Sequence, residues 1–110
     1  MREPTFLMLT ALAEEPRHGY AVIEDVAAMT GGRVRLRAGT LYAALDRLRT
    51  EGLIEVDHEE VVQSRLRRYY RLTAAGERAL AAETARLREQ ATIAERRLHA
   101  RRIELGGATT

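Results

Sequence analysis

The sequence predicts a mainly α fold with one small β-hairpin and a long C-terminal helix. Three observations carry that expectation. Apolar residues recur at helical spacing in separate stretches, two short runs rich in Val, Ile, Tyr and Arg follow the third of them, and the last stretch continues to a Gly106-Gly107 stop. A chain of 110 residues that is 45% hydrophobic and 31% charged fits one globular domain with room for an appendage. With no Trp and only 5% aromatics, its core has to come from Leu, Ala, Val and Ile.

The first helix is expected to open with Pro4 in its first turn and to continue without a breaker through residues 6–15, with Pro16 as the stop. Phe6, Leu7, Met8, Leu9, Ala11, Leu12 and Ala13 leave it no polar stripe, so it must be covered on both sides. In so small a chain part of that cover is expected from a second subunit. A second helix spans residues 19–29, with Tyr20, Ile23, Val26 and Ala27 at helical spacing and Thr30-Gly31-Gly32 closing it. Val34 and Leu36 then alternate with Arg33, Arg35 and Arg37, the pattern of a short extended segment. The third helix covers residues 39–51 before Gly52, with Leu41, Ala44, Leu45 and Leu48 as its buried stripe. Ala38 is a poor cap at its start.

Residues 53–57 and 67–72 read as strands on either side of a polar, acidic stretch over 58–64. No Gly or Pro marks that connection, so a hairpin with a longer tip is expected in place of a tight two-residue turn. Tyr69 and Tyr70 should point to opposite faces. Thr73 caps a last helix over residues 74–105, whose spacings of four and three (Leu80, Thr84, Leu87, Ala91, Ala94, Leu98, Arg101, Leu105) form an imperfect dimerisation seam. In order, these elements make a winged helix-turn-helix over residues 1–73, a dimerisation helix over 74–105 and a flexible tail over 106–110.

Net charge is +2, and all 18 cationic residues are Arg. GC-rich coding explains such usage as well as function does. Placement is more informative. Five Arg and one acid, Asp46, lie between Arg33 and Arg49, and four Arg with no acid lie between Arg65 and Arg71. Local basic patches on a near-neutral chain suit a phosphate-facing surface. Absence of Cys excludes disulfides and thiolate chemistry. The run over residues 6–13 is too short to span a bilayer, and a cytoplasmic protein is expected. His18, His58 and His99 lack paired ligand spacing, so His18 reads as a cap or surface residue and no metal or other cofactor is expected. No nucleophile elbow, phosphate-cradling loop or dinucleotide fingerprint points to an enzyme.

Several segments, in this order and spacing, resemble the PadR family of transcriptional regulators, in its short form with a single C-terminal helix. They are Leu12-Ala13-Glu14-Glu15-Pro16-Arg17-His18-Gly19-Tyr20, Gly39-Thr40-Leu41-Tyr42-Ala43-Ala44-Leu45-Asp46-Arg47-Leu48, Glu51-Gly52-Leu53-Ile54 and Arg67-Arg68-Tyr69-Tyr70-Arg71-Leu72-Thr73-Ala74-Ala75-Gly76. Two positions depart from the family pattern: Ala43 stands where Pro is usual, and Ser64-Arg65-Leu66 where Gly-Arg-Pro is usual. The resemblance implies a repressor that binds a pseudo-palindromic operator as a homodimer and answers to a small aromatic or cationic inducer.

On this reading the third helix is the recognition helix. Arg37, Thr40, Tyr42, Ala43, Arg47 and Arg49 are its candidate DNA contacts, Arg65, Arg67 and Arg68 those of the wing, and Tyr20 a phosphate contact. A solvated basic helix face, and a core role for Tyr20, are the plainer alternatives. The dimer would use Phe6, Leu9, Leu80, Leu87, Ala91, Ala94, Leu98 and Leu105. An inducer would sit among Met8, Leu9, Leu87, Ala91, Ala94 and Leu98. Some relatives sandwich flat drugs with a Trp on the last helix, a mode closed to this Trp-free chain. A winged-helix module that binds another protein, with no DNA specificity, is the rival function.

Overall fold

A computed structural model of the chain describes residues 1–106. Four helices and three strands follow in the order α1 (Glu3–Ala11), β1 (Arg17–His18), α2 (Gly19–Met29), α3 (Ala38–Thr50), β2 (Ile54–Val62), β3 (Arg65–Leu72) and α4 (Ala74–Glu104). The strands form one antiparallel sheet in the order β1-β3-β2. This is a winged helix with a long C-terminal helix. One compact unit spans Met1–Leu80, and a second begins at Ala81. Four residues of the expected tail, 107–110, lie outside the described residues.

The core of the first unit is built by Leu7, Met8, Leu9, Ala11 and Leu12 with Val22 and Val26 of α2, Leu41, Leu45 and Leu48 of α3, and Ile54 and Tyr70 of the sheet. Residues three and four apart on each helix supply these contacts, as a 3.6-residue period requires. Here the expectation for α1 needs correcting. Met8 is 1% exposed and Leu9 0%, both within the chain's own core, so neither has surface left for a second subunit or an inducer. Phe6 is only partly buried against the same cluster, as is Leu80, the first position of the expected seam. Along α4 beyond it, Leu87, Ala91, Ala94, Leu98 and Leu105 are exposed on the single chain.

Two further corrections concern the strands. Val34 and Leu36 pack on the core but form no strand, because no neighbouring strand is there to pair with them. The third strand is Arg17–His18, which pairs with Tyr69 and Tyr70. The stretch over 58–64 is also no long tip. β2 runs on to Val62, and Gln63 and Ser64 alone make the turn, with φ of 51° and 63°. Two successive left-handed residues are the signature of a type I′ turn, whose twist matches the strands it joins. Asn and Gly usually occupy it, which is why Gln-Ser gave no turn signal. The acids of this stretch pair with arginines across the ladder, and that pairing suits a strand.

Helix ends follow from caps. His18 Nδ1 accepts from the Ala21 amide at 3.2 Å and caps α2. The Arg17 guanidinium donates to the Ala11 carbonyl at 2.8 Å, satisfying a free end of α1. Thr73 joins α4 to the sheet: its hydroxyl donates to the Gly52 carbonyl at 2.6 Å and accepts from the Gly76 amide at 3.0 Å. Gly76 itself lies against the Leu53 carbonyl so closely that a Cβ there would overlap the oxygen.

Gly76→Ala should therefore destabilise the fold by about 2 kcal/mol or more in chemical denaturation, whereas in an open helix the same change stabilises by roughly 1 kcal/mol. A stabilised variant would refute the close approach. A second expectation concerns pH. Burial first, and Arg67 second, hold the His18 imidazole below its ordinary value. The unfolded chain then binds the proton more tightly than the folded one. The contribution of His18 is complete above its unfolded value of about 6.5 and is lost as pH falls through the lower folded value. His18→Asn, which keeps a capping side chain, should flatten that part of the profile of unfolding midpoint against pH, and an unchanged profile would refute the lowered imidazole value.

Candidate nucleic-acid interface

The face of α3 opposite its Leu41–Leu45–Leu48 stripe is exposed from end to end. Thr40, Tyr42, Ala43, Asp46, Arg47 and Arg49 all lie on accessible parts of the helix, and Arg37 at its N-cap is accessible as well. Arg37 makes no side-chain cap, so the first amides of α3 have no side-chain partner.

Between α3 and the wing runs a groove of about 1000 Å³. Tyr20 and His18 line it from the start of α2, Tyr42 and Asp46 from α3, and Arg65, Leu66, Arg67 and Arg68 from β3. The structure thus brings Tyr20, Tyr42, Arg65, Arg67 and Arg68 to one concavity. Tyr20 is 65% exposed, which removes the core alternative for it. Tyr42 rests on Gly19: a Cβ at that position would meet the phenol oxygen at 2.8 Å. A side chain at position 19 would displace the exposed Tyr42 ring from the groove wall.

Other expected site residues lie elsewhere. Arg37, Thr40 and Ala43 are outside the groove lining, at the N-terminal half of α3. Arg47 turns toward α1 and donates to the Thr5 hydroxyl at 3.0 Å. Arg49 lines a shallower depression with Asp46, Thr50, Ile54, Glu55 and Val56.

The wing is more acidic than its Arg-rich sequence suggests. Arg68 donates to Glu59 at 2.8 Å, and Arg67 lies 4.0 Å from Glu60. The Glu59 hydrogen bond holds the Arg68 guanidinium above its ordinary value. Arg71 bridges Asp57 at 3.1 Å and Glu55 at 3.3 Å. The Asp57 carboxyl is held low, first by its hydrogen bond from His58 and then by Arg71. Tyr70 is buried, while Tyr69 packs between His58, stacked at 4.2 Å, and His18, edge-on at 5.3 Å, and donates to Glu60. Glu59, Glu60, Gln63 and Leu66 escaped sequence reasoning, since only the cross-strand register relates them to the arginines. Among the described residues, no cluster of His, Asp and Glu could hold a metal ion, and no helix is long and apolar enough to cross a membrane.

Comparison with known proteins agrees with this geometry. The chain is 40% identical over 78 residues to the transcriptional regulator Rv3488 of Mycobacterium tuberculosis, covering 71% of this chain and 59% of that protein. It spans 64% and 59% of the length of two curated relatives that it matches. Among solved structures, a PadR family transcriptional regulator of Eggerthella lenta superposes with a TM-score of 0.70 at 31% identity, covering 86% of this chain and 80% of that one. Bacillus subtilis PadR, solved in complex with operator DNA, superposes with a TM-score of 0.68 at 20% identity, covering 76% of this chain and 48% of that one. Residues 8–82 match the family described as Transcriptional regulator PadR-like. From α1 to the start of α4, therefore, the helices and the wing follow a shared fold and sequence pattern, and the chain belongs to the PadR-like family of transcriptional regulators.

Proposed function

We propose that the chain binds operator DNA sequence-specifically as a homodimer and represses by occluding a promoter. The groove between α3 and the wing is the observation that carries this reading, because it sets two tyrosine hydroxyls and three arginines beside an exposed helix N-terminus. The N-terminal half of α3, with Arg37, Thr40, Tyr42 and Ala43, enters the major groove. The strand of phosphates alongside passes through the concavity, within reach of Tyr20 and the tip residue Arg65. Arg49 meets a flanking phosphate, and Arg47, tethered to Thr5, contributes least. Bacillus subtilis PadR, which shares this fold, was solved in complex with operator DNA, and that supports DNA as the ligand.

Dimerisation is assigned to the exposed apolar residues of α4, Leu87, Ala91, Ala94, Leu98 and Leu105. Phe6 and Leu80 contribute only their partly exposed edges. Two heads then read half-sites about one helical turn, roughly 34 Å, apart on a pseudo-palindrome. A small aromatic or cationic inducer acts by binding between the α4 faces at Leu87, Ala91, Ala94 and Leu98, preferring one separation of the heads over another. No residue of the groove is assigned a catalytic step.

Titration against a duplex from upstream of its own gene and against a scrambled duplex, at two salt concentrations, tests the reading. A preference of about 100-fold or more for the upstream duplex at dimer stoichiometry is expected. Arg65→Ala should weaken binding to both duplexes alike and lower the salt slope by about 0.9, as loss of one phosphate contact does. Thr40→Ala should act on the preferred duplex alone. Leu98→Asp should yield monomers in sedimentation and lose the preference. Failure to bind either duplex at low salt would overturn the proposal and favour a protein-interaction module.

A further inference from the structure

The wing carries as many carboxylates as guanidiniums. β2 contributes Glu55, Asp57, Glu59 and Glu60, and β3 contributes Arg65, Arg67, Arg68 and Arg71. Their placement is ordered. The register shift between Val56 and His58 sets Glu59 opposite Arg68 and Glu60 opposite Arg67. Arg67, Arg68 and Arg71 all have a carboxylate within 4.0 Å, whereas Arg65, at the turn, has none among the described residues. Arg67 and Arg68 line the groove, yet on the neighbouring strand Glu59 accepts a hydrogen bond from Arg68 and Glu60 lies 4.0 Å from Arg67.

Resting on the DNA-binding reading above, we propose that Glu59 and Glu60 are specificity-determining residues that keep the wing from grasping arbitrary DNA. A free guanidinium gains a phosphate outright and releases a condensed cation from the duplex. A paired one must first give up its carboxylate, so one anion is exchanged for another and the gain is small. On a random duplex the wing therefore binds through Arg65 alone. Arg67 and Arg68 exchange partners only where α3 has docked on its own sequence and holds the phosphates in place. Discrimination rises because the nonspecific state is weakened more than the specific one.

The test compares the full chain with Glu59→Gln/Glu60→Gln on a random-sequence duplex across a salt series. Glutamine keeps the size of each side chain and removes its charge. The variant should bind roughly tenfold more tightly at low salt, and its log–log salt slope should steepen by about 1.8, for two phosphates gained. Adding Arg67→Gln/Arg68→Gln should cancel both changes, which a general loosening of the hairpin would not do. Glu14→Gln/Glu89→Gln, on exposed sites outside the wing, makes the same change in net charge and should move binding far less. The inference is overturned if wild type binds and the wing variant matches it, or if the control variant gains as much. If neither wild type nor the wing variant binds any duplex at low salt, the DNA-binding reading falls, and this inference with it.

Discussion

The antiparallel register between β2 and β3 depends on one extra residue, Asp57. Up to Val56 the strands pair in one register, with Val56 facing Tyr70, and beyond it His58 faces Tyr69. Continued without that bulge, the first register would put Val62 opposite Ser64, leaving a single residue to reverse the chain. With it, Val62 faces Arg65 and two residues close the hairpin. A one-residue slip also exchanges the faces of a strand. The bulge therefore decides which face Glu59 and Glu60 take, so that Glu60 meets Tyr69 and each glutamate meets its own arginine.

The last three helices were legible in the sequence, because their boundaries are local events, whereas α1 stops at Ala11, four residues before the expected end at Glu15. α2 begins and ends where the spacing of Tyr20, Ile23 and Val26 and the Thr30-Gly31-Gly32 stop placed it, and α3 and α4 lie within a residue of expectation. The wing was not legible in the same way. A bulge and a register are properties of two strands, and Gln63 and Ser64 take left-handed backbone that their side chains do not announce. The two-residue β1 is likewise visible only beside its partner. Met8 and Leu9 show a further limit. An apolar helix must be covered on both sides, but composition does not say whether the cover is another subunit or the chain's own α2 and α3.

Much the same division holds for the candidate site. The family resemblance marked Tyr20, Tyr42 and the wing arginines, and the fold gathers them. Chain proximity also suggested Arg47 and Arg49, which turn to other surroundings because α3 advances about 100° per residue and only part of its exposed face meets the wing. What orders the gathered residues is close backbone contact: Gly19 under the Tyr42 ring, and Gly76 with Thr73 clasping α4 to the Gly52–Leu53 turn. The first turns of α4 are thus fixed by a position where no side chain fits.

One consequence lies in the chemistry of the wing's cations. Every one is a guanidinium, which stays protonated across the whole physiological range, and the chain has no lysine whose amine could be acetylated or methylated. Modifying enzymes that retune basic surfaces by acylating amines have no side chain to act on here. The electrical balance of the hairpin is therefore set by which residues stand on its two strands, and substitution at the carboxylates shifts it as surely as substitution at the arginines.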